Sequence, residues 1–155
     1  MTQAGMAFAR LIASGFGTGR VPVAAGTVAS VVATLAGAAL LAASPVWLAT
    51  AALVATLGGL WAIRHAQVEG DPGWVTIDEF AGQFLTLLGL THVSPAGLLT
   101  AFVLFRVLDI TKLGPVGWAD RQHGAFGIMA DDVIAGLIGA AILIGAQVAW
   151  PTLLG

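Results

Sequence analysis

Long apolar runs, broken by a handful of charged positions, organise this chain. Between Arg20 and Arg64 no residue is charged, and the interval holds two apolar stretches, residues 24–43 and 45–63. Each is close to the ~20 residues that cross a bilayer as a helix, so together they predict a transmembrane hairpin. A third uncharged run, 80–105, is punctuated by Thr91-His92-Val93-Ser94-Pro95, which divides a helix at 77–90 from another at 95–110. The first of these extends only about 20 Å at 1.5 Å per residue, less than a ~30 Å hydrocarbon core. It is expected to be re-entrant or to sit where the membrane is thinned. A fifth segment, 128–150, is apolar after Asp132 apart from Gln147 and is long enough to span. Residues 1–14 are amphipathic, and Arg10 and Arg20 precede the first span instead of a cleavage site, so this region reads as a cytoplasmic or interfacial segment and not as a signal peptide. The predicted fold is all-α: an integral membrane helical bundle of four to five hydrophobic helices plus a short amino-terminal helix, forming one domain over residues 1–155.

Charge placement then orients the bundle. With the amino terminus inside, Arg10, Arg20, Arg64, Lys112 and Arg121 share the cytoplasmic side, and Arg106 lies within about a turn of it. The outer loops, around Ser44 and at 91–94, carry no Lys or Arg, in agreement with the positive-inside bias. Every Asp and Glu falls on that same side.

Composition narrows the class. Only 9% of the 155 residues are charged while 58% are apolar, and the mean hydropathy is +0.95. A soluble domain carries about 25% charged residues, so this chain cannot clothe itself in polar surface. A net charge of −2 without a general basic patch gives no sign of a nucleic-acid partner. The absence of cysteine removes disulfides, thiolate metal sites and cysteine nucleophiles.

The carboxylates form three groups beside the helices. Asp78-Glu79 opens the third helix, Asp109 ends the fourth and Asp131-Asp132 opens the fifth. Such groups beside hydrocarbon are costly unless paired, hydrated or bound to a cation. Hard oxygen donors suit Mg²⁺, which keeps water or substrate phosphate in its remaining positions, so all five are candidate metal ligands and catalytic groups. The competing reading is local: acidic residues at helix N-termini act as caps worth about 0.3–1 kcal/mol. That reading serves Asp78-Glu79 and Asp131-Asp132 but not Asp109, which opposes the helix dipole and would need Arg106 and Lys112 at i±3 as partners.

Those two cations suit phosphate as well, Arg106 through its planar fork and Lys112 by offsetting charge on a leaving oxygen. Snorkelling to lipid headgroups is the alternative for Lys112 and for Arg121. The stretch from Pro22 through Gly26 and Thr27 to Ser30, at the start of the first span, offers backbone N–H groups and hydroxyls to an anion; alternatively Gly26 and Ser30 serve close helix packing. Arg20, Gly26, Thr27, Arg106, Lys112 and Arg121 are the candidate substrate contacts. His65, His92 and His123 are too scattered for a histidine metal triad, although His123, between Arg121 and the Asp pair, is placed to move a proton or touch a headgroup. Gly15-Phe-Gly17-Thr-Gly19 follows no strand and is not a dinucleotide loop.

In order and spacing, Gly15-Phe-Gly17-Thr-Gly19, Pro22-x-x-x-Gly26-Thr27-x-x-Ser30, Ile77-Asp78-Glu79-x-x-Gly82-Gln83, Phe105-Arg106-x-x-Asp109-x-x-Lys112 and Gly127-Ile128-Met129-x-Asp131-Asp132-x-x-x-Gly136 resemble the phosphatidylglycerophosphatase A family. The resemblance covers residues 15–139. It implies an all-helical bundle that dephosphorylates phosphatidylglycerophosphate to phosphatidylglycerol with Mg²⁺ at the bacterial cytoplasmic (inner) membrane, with that phospholipid and the membrane lipids as partners. Ala25, Ala29, Leu113 and the pair Gly124-Ala125 depart from the family pattern, at positions that bear on loop stiffness, whereas every matching acidic position remains. In-line attack by water and direct attack by a carboxylate both fit the residues. Two other classes are weighed. A phosphatidyltransferase would need an Asp-Gly-x-x-Ala-Arg motif that is missing here, and a small transporter or ion-binding protein would need charge across the membrane depth.

Overall fold

The computed structural model describes residues 2–68, 70 and 72–150, so Glu69 and Asp71, placed above with the other acids on the inner side, lie outside the described residues. Among the described residues the chain is helical, without strands. Helix α1 (Gln3–Ala13) starts where Thr2 Oγ1 accepts the N–H of Gly5 at 3.2 Å and buries Ala9 and Ala13, as its amphipathic pattern requires. A short 3₁₀ segment, Gly15–Arg20, follows. Helices α2 (Ala25–Ala43) and α3 (Pro45–His65) form the expected hairpin. Ser44 alone joins them: it ends α2 in extended conformation and caps α3 by accepting the N–H of Val46, with Pro45 at the first helical position, where its missing N–H leaves no bond unmade.

Helix α4 (Ile77–Leu87) lies in the middle of the bundle, against α2, α3, α5 (Pro95–Thr111) and α7 (Gly124–Ala149). Its 11 residues rise only about 16 Å, and all but Leu85 are buried. Its shortness is resolved by enclosure: protein, not lipid, surrounds it. It stops at Leu87, three residues before the expected end, and the following turn is tied to the far end of α7 through Gln147, which donates to Gly89 O at 2.6 Å and accepts from Thr91 Oγ1 at 2.9 Å. His92 belongs to this far turn, as expected.

Two further differences come from the segment between α5 and α7. A six-residue helix, α6 (Pro115–Asp120), starts at a proline and is too short to register as hydrophobic periodicity. Helix α7 begins at Gly124, four residues before the expected start, because the glycine-flanked stretch ahead of Ile128, Gly124-Ala125-Phe126-Gly127, is already helical.

Three helices, α2, α3 and α7, are long and apolar enough to cross a membrane. The bundle is packed as a lipid-facing one: small and polar side chains such as Ala29, Ser30, Ala33, Thr34 and Thr86 are inside, while Leu35, Leu53, Val54, Leu57 and Ile144 project outward. The tightest crossing is between α4 and α7. A Cβ on Gly136 would lie 2.9 Å from Gly82 Cα, and one on Gly82 would lie 2.6 Å from Asp132 O. Glu79 lies three residues before Gly82 and Asp132 four before Gly136, so this glycine contact draws both acidic pairs to one end of the bundle.

Candidate active site

At that end the loop preceding α4 is held by the amino-terminal segment. Thr76 N–H donates to Ala13 O at 2.9 Å, and Thr76 Oγ1 lies 3.0 Å from Thr18 Oγ1. The glycine-rich stretch therefore braces the start of α4, which fixes Asp78 and Glu79. All five expected carboxylates are buried, from 3% exposure at Asp132 to 9% at Asp78 and Glu79. Asp78, Glu79, Asp109, Asp131 and Asp132 line one cavity of about 190 Å³, together with Gly26, Gly73, Val75 and Lys112.

The helix-cap alternative separates within this group. Asp131 and Asp132 lie two turns inside α7, whose N-cap is His123, so they do not open the helix as expected and cannot cap it. Asp78 and Glu79 do occupy the first turn of α4. The Glu79 carboxylate nevertheless reaches across to other helices: Ser30 Oγ of α2 donates to Oε2 at 2.7 Å, and Arg106 Nη1 of α5 donates to Oε1 at 2.7 Å and Oε2 at 2.6 Å. Asp109 has the i±3 partners anticipated for it, Arg106 Nη1 at 2.7 Å and Lys112 Nζ at 3.2 Å. Its carboxylate also converges with those of α7, since one oxygen each from Asp109, Asp131 and Asp132 lies within 4.8 Å of the others.

Lys112 is the hub. It ends α5 in the left-handed region at φ 50°, a conformation unusual for a side chain larger than glycine and frequent where function fixes the backbone. From there its ammonium reaches Asp109, Asp120 and Asp131, at 3.2 Å for the first two. Burial alone would lower its pKa. The hydrogen bond it donates to Asp131, with the charges of Asp131, Asp109 and Asp132, outweighs burial and holds it above the usual lysine value. Five buried carboxylates thus face two close cations, Arg106 and Lys112. Surplus negative charge on hard oxygen donors is the chemistry of a divalent-cation site, and the residues fit one.

Other candidates are placed less centrally. Gly26 lines the cavity, and its missing side chain is filled by Glu79: a Cβ there would overlap Glu79 Oε1. The first turn of α2, expected to receive an anion, therefore receives a carboxylate of the protein itself. Thr27 is partly buried on the same turn, outside the walls of this cavity. Arg20 lies with Arg10 and Trp74 in a cavity of about 400 Å³. Arg121 and His123 line a third, of about 310 Å³, that includes Asp131. Sequence reasoning placed Ser30 in the helix opening offered to an anion or at a packing position, without its bond to Glu79, and missed Asp120, whose signal was its eight-residue spacing from Lys112 across α6.

Comparisons with known proteins give the family of the chain. The sequence profile of the phosphatidylglycerophosphatase A family matches residues 11–147. Phosphatidylglycerophosphatase A of Escherichia coli is 36% identical, over 91% of this chain and 84% of that protein. Its namesake in Haemophilus influenzae is 34% identical, over 88% of this chain and 87% of that protein. A Bacteroides thetaiotaomicron protein named provisionally as a phosphatidylinositol-3-phosphatase is 34% identical, over 88% of this chain and 92% of its own length. No solved structure matches the chain.

Proposed function

Because the chain belongs to the phosphatidylglycerophosphatase A family, we propose that it hydrolyses phosphatidylglycerophosphate to phosphatidylglycerol and inorganic phosphate, with Mg²⁺, at the cytoplasmic face of a bacterial inner membrane. The observation that carries this reading is the cavity at one end of an apolar bundle in which Asp109, Asp131 and Asp132 converge beside Lys112 and Arg106. The substrates named for the relatives share a chemistry: a phosphodiester ties the headgroup to the lipid, and a phosphomonoester sits three carbons away, along glycerol in one and around inositol in the other. The monoester is the group to be removed.

Asp109, Asp131 and Asp132 would hold the Mg²⁺, with Asp78 and Glu79 on the same cavity wall. Bound there, the ion supplies Lewis-acid charge at the phosphoryl group. The reaction adds a water oxygen to phosphorus and breaks the bond from phosphorus to the glycerol oxygen, which takes a proton as it leaves. Lys112 brings a fixed positive charge to the phosphoryl oxygens. Arg106 contributes charge and also clamps Glu79 to Asp109, fixing one side of the cavity. Arg20, Thr27 and Arg121 would flank the substrate's approach, whereas Gly26 makes room for Glu79. The charges support this orientation, since the far turns at Ser44 and 88–94 carry none and the basic residues gather at the site end.

Phosphate release by the protein purified in detergent tests the reading, with phosphatidylglycerophosphate, phosphatidic acid and a soluble phosphomonoester, each with Mg²⁺ and with chelator. Mg²⁺-dependent release from phosphatidylglycerophosphate is expected. Release that survives chelation removes the metal from the proposal, and none from this lipid removes the activity.

A further inference from the structure

Two cavities meet at Asp131. The first holds the five carboxylates, and the second, of about 310 Å³, is lined by Asp120, Arg121, His123 and Gly127 among others. The chain between α6 and α7 folds tightly there: a Cβ on Gly127 would come within 2.6 Å of the Gln122 carbonyl carbon, so the turn lies directly over the start of α7. That turn sets Arg121 and His123 on the rim of the second cavity, both exposed. Lys112, deeper in, is committed to Asp109, Asp120 and Asp131. Arg121 carries no ion pair among the described residues, and His123 caps α7 with no side-chain hydrogen bond to the helix. The second cavity therefore offers a cationic fork and an imidazole beside a carboxylate-lined reaction chamber.

The lipid proposed as substrate poses a matching problem. Its phosphomonoester belongs with the carboxylate cavity, and its phosphodiester, an anion three carbons away, needs a separate cation not already held by carboxylates, which Arg121 supplies because the two carboxylates of its cavity, Asp120 and Asp131, are paired with Lys112. Resting on the reading above, we propose that the cavity of Arg121 and His123 is the subsite for the phosphodiester of the substrate. It selects lipids bearing both phosphates over lipids bearing a phosphomonoester alone. Phosphatidic acid, whose phosphate joins the diacylglycerol directly, would leave Arg121 without a partner.

The test compares kcat and KM on phosphatidylglycerophosphate and phosphatidic acid for the wild-type protein, Arg121→Ala, Arg121→Gln and Arg64→Ala. Arg64 is exposed at the end of α3 and lines neither cavity. Wild type should prefer phosphatidylglycerophosphate. Both Arg121 variants should lose about 10- to 100-fold in kcat/KM on that lipid, the worth of one hydrogen-bonded contact between charges. The loss should lie mainly in KM, with less than about a twofold change on phosphatidic acid, and Arg64→Ala should match wild type on both. If one Arg121 variant loses helicity, the other carries the comparison. Equal losses on the two lipids, no loss on phosphatidylglycerophosphate, or a wild type that treats both lipids alike overturns the subsite while leaving the phosphatase reading intact. Absence of phosphate release from phosphatidylglycerophosphate by wild type overturns that reading first.

Discussion

Gly26 and Glu79 share one volume. A methyl group on Gly26 would overlap Glu79 Oε1 and stand 3.6 Å from Arg106 Nη1, so the glycine of α2 is the complement of a carboxylate on α4. Gly26→Ala should therefore push Glu79 out of its place between Ser30 and Arg106 without disturbing the apolar packing of the bundle. Misplacement by about 1 Å at a reacting centre costs on the order of 100-fold in rate. Phosphate release should fall by roughly that factor with helicity and detergent-extracted yield retained, and a variant with wild-type turnover would show that Glu79 has no part in the reaction.

The convergence of Asp109, Asp131 and Asp132 yields a thermal signature distinct from that of caps. Removing one of several like charges relieves repulsion, whereas deleting a cap costs about 0.5–2 kcal/mol. Asp132→Asn should abolish turnover, keep or raise the melting temperature in chelator, and erase the upward shift that Mg²⁺ produces in wild type by binding the folded state. Thermal denaturation with and without Mg²⁺ measures all of this. A lowered melting temperature in chelator, with activity spared, would return Asp132 to a structural role.

Arg106 spans Glu79 and Asp109 with one nitrogen, Nη1, within 2.7 Å of both. Lysine keeps the charge but lacks the further guanidinium nitrogen that can face a phosphate while Nη1 holds both carboxylates. Arg106→Lys should lower kcat/KM on phosphatidylglycerophosphate by about 100-fold, and Lys112→Ala by at least as much, since three carboxylates then lose a shared partner. Wild-type kinetics in both variants would mean that the two cations only anchor the protein to headgroups.

The helical hairpin of α2 and α3 was legible to within two residues, because uncharged runs bounded by Arg20 and Arg64 leave a chain little else to form. The clustering of the five acids at one end of the bundle was legible too, because charge beside hydrocarbon demands an explanation. What sequence spacing did not carry was depth. Asp131 and Asp132 looked like the opening of a helix because Gly124 to Gly127 reads as a loop, yet packing against α6 extends α7 backward and puts the pair two turns inside. The partner of Ser30 stayed hidden for a related reason: it is 49 residues away, and a serine among alanines on an apolar helix reads equally as a packing residue or as an anion donor.

Orientation is measurable because the chain has no native cysteine. Ser44→Cys sits at the uncharged end and Arg64→Cys at the charged one. In intact spheroplasts an impermeant maleimide should label Ser44→Cys, and should reach Arg64→Cys only after permeabilisation. The reverse pattern would place the carboxylate cavity outside and remove the cytoplasmic assignment.

The crossing of α4 and α7 should fail differently from the Gly26 contact. A Cβ on Gly136 would meet backbone atoms of Gly82 at 2.9 and 3.0 Å, and backbone, unlike the end of a flexible side chain, has no rotamer into which it can withdraw. Gly136→Ala must push the helices apart at the point that aligns Glu79 with Asp132. Overpacking of this kind costs about 1–3 kcal/mol, so the melting temperature should drop. Turnover should fall with it even below the transition, because both acidic pairs hang one turn from the displaced contact. Gly58→Ala is the control, since its Cβ would meet open space, and it should leave both quantities unchanged. A Gly136→Ala protein of wild-type stability and turnover would mean that the glycine crossing does not set the geometry of the site.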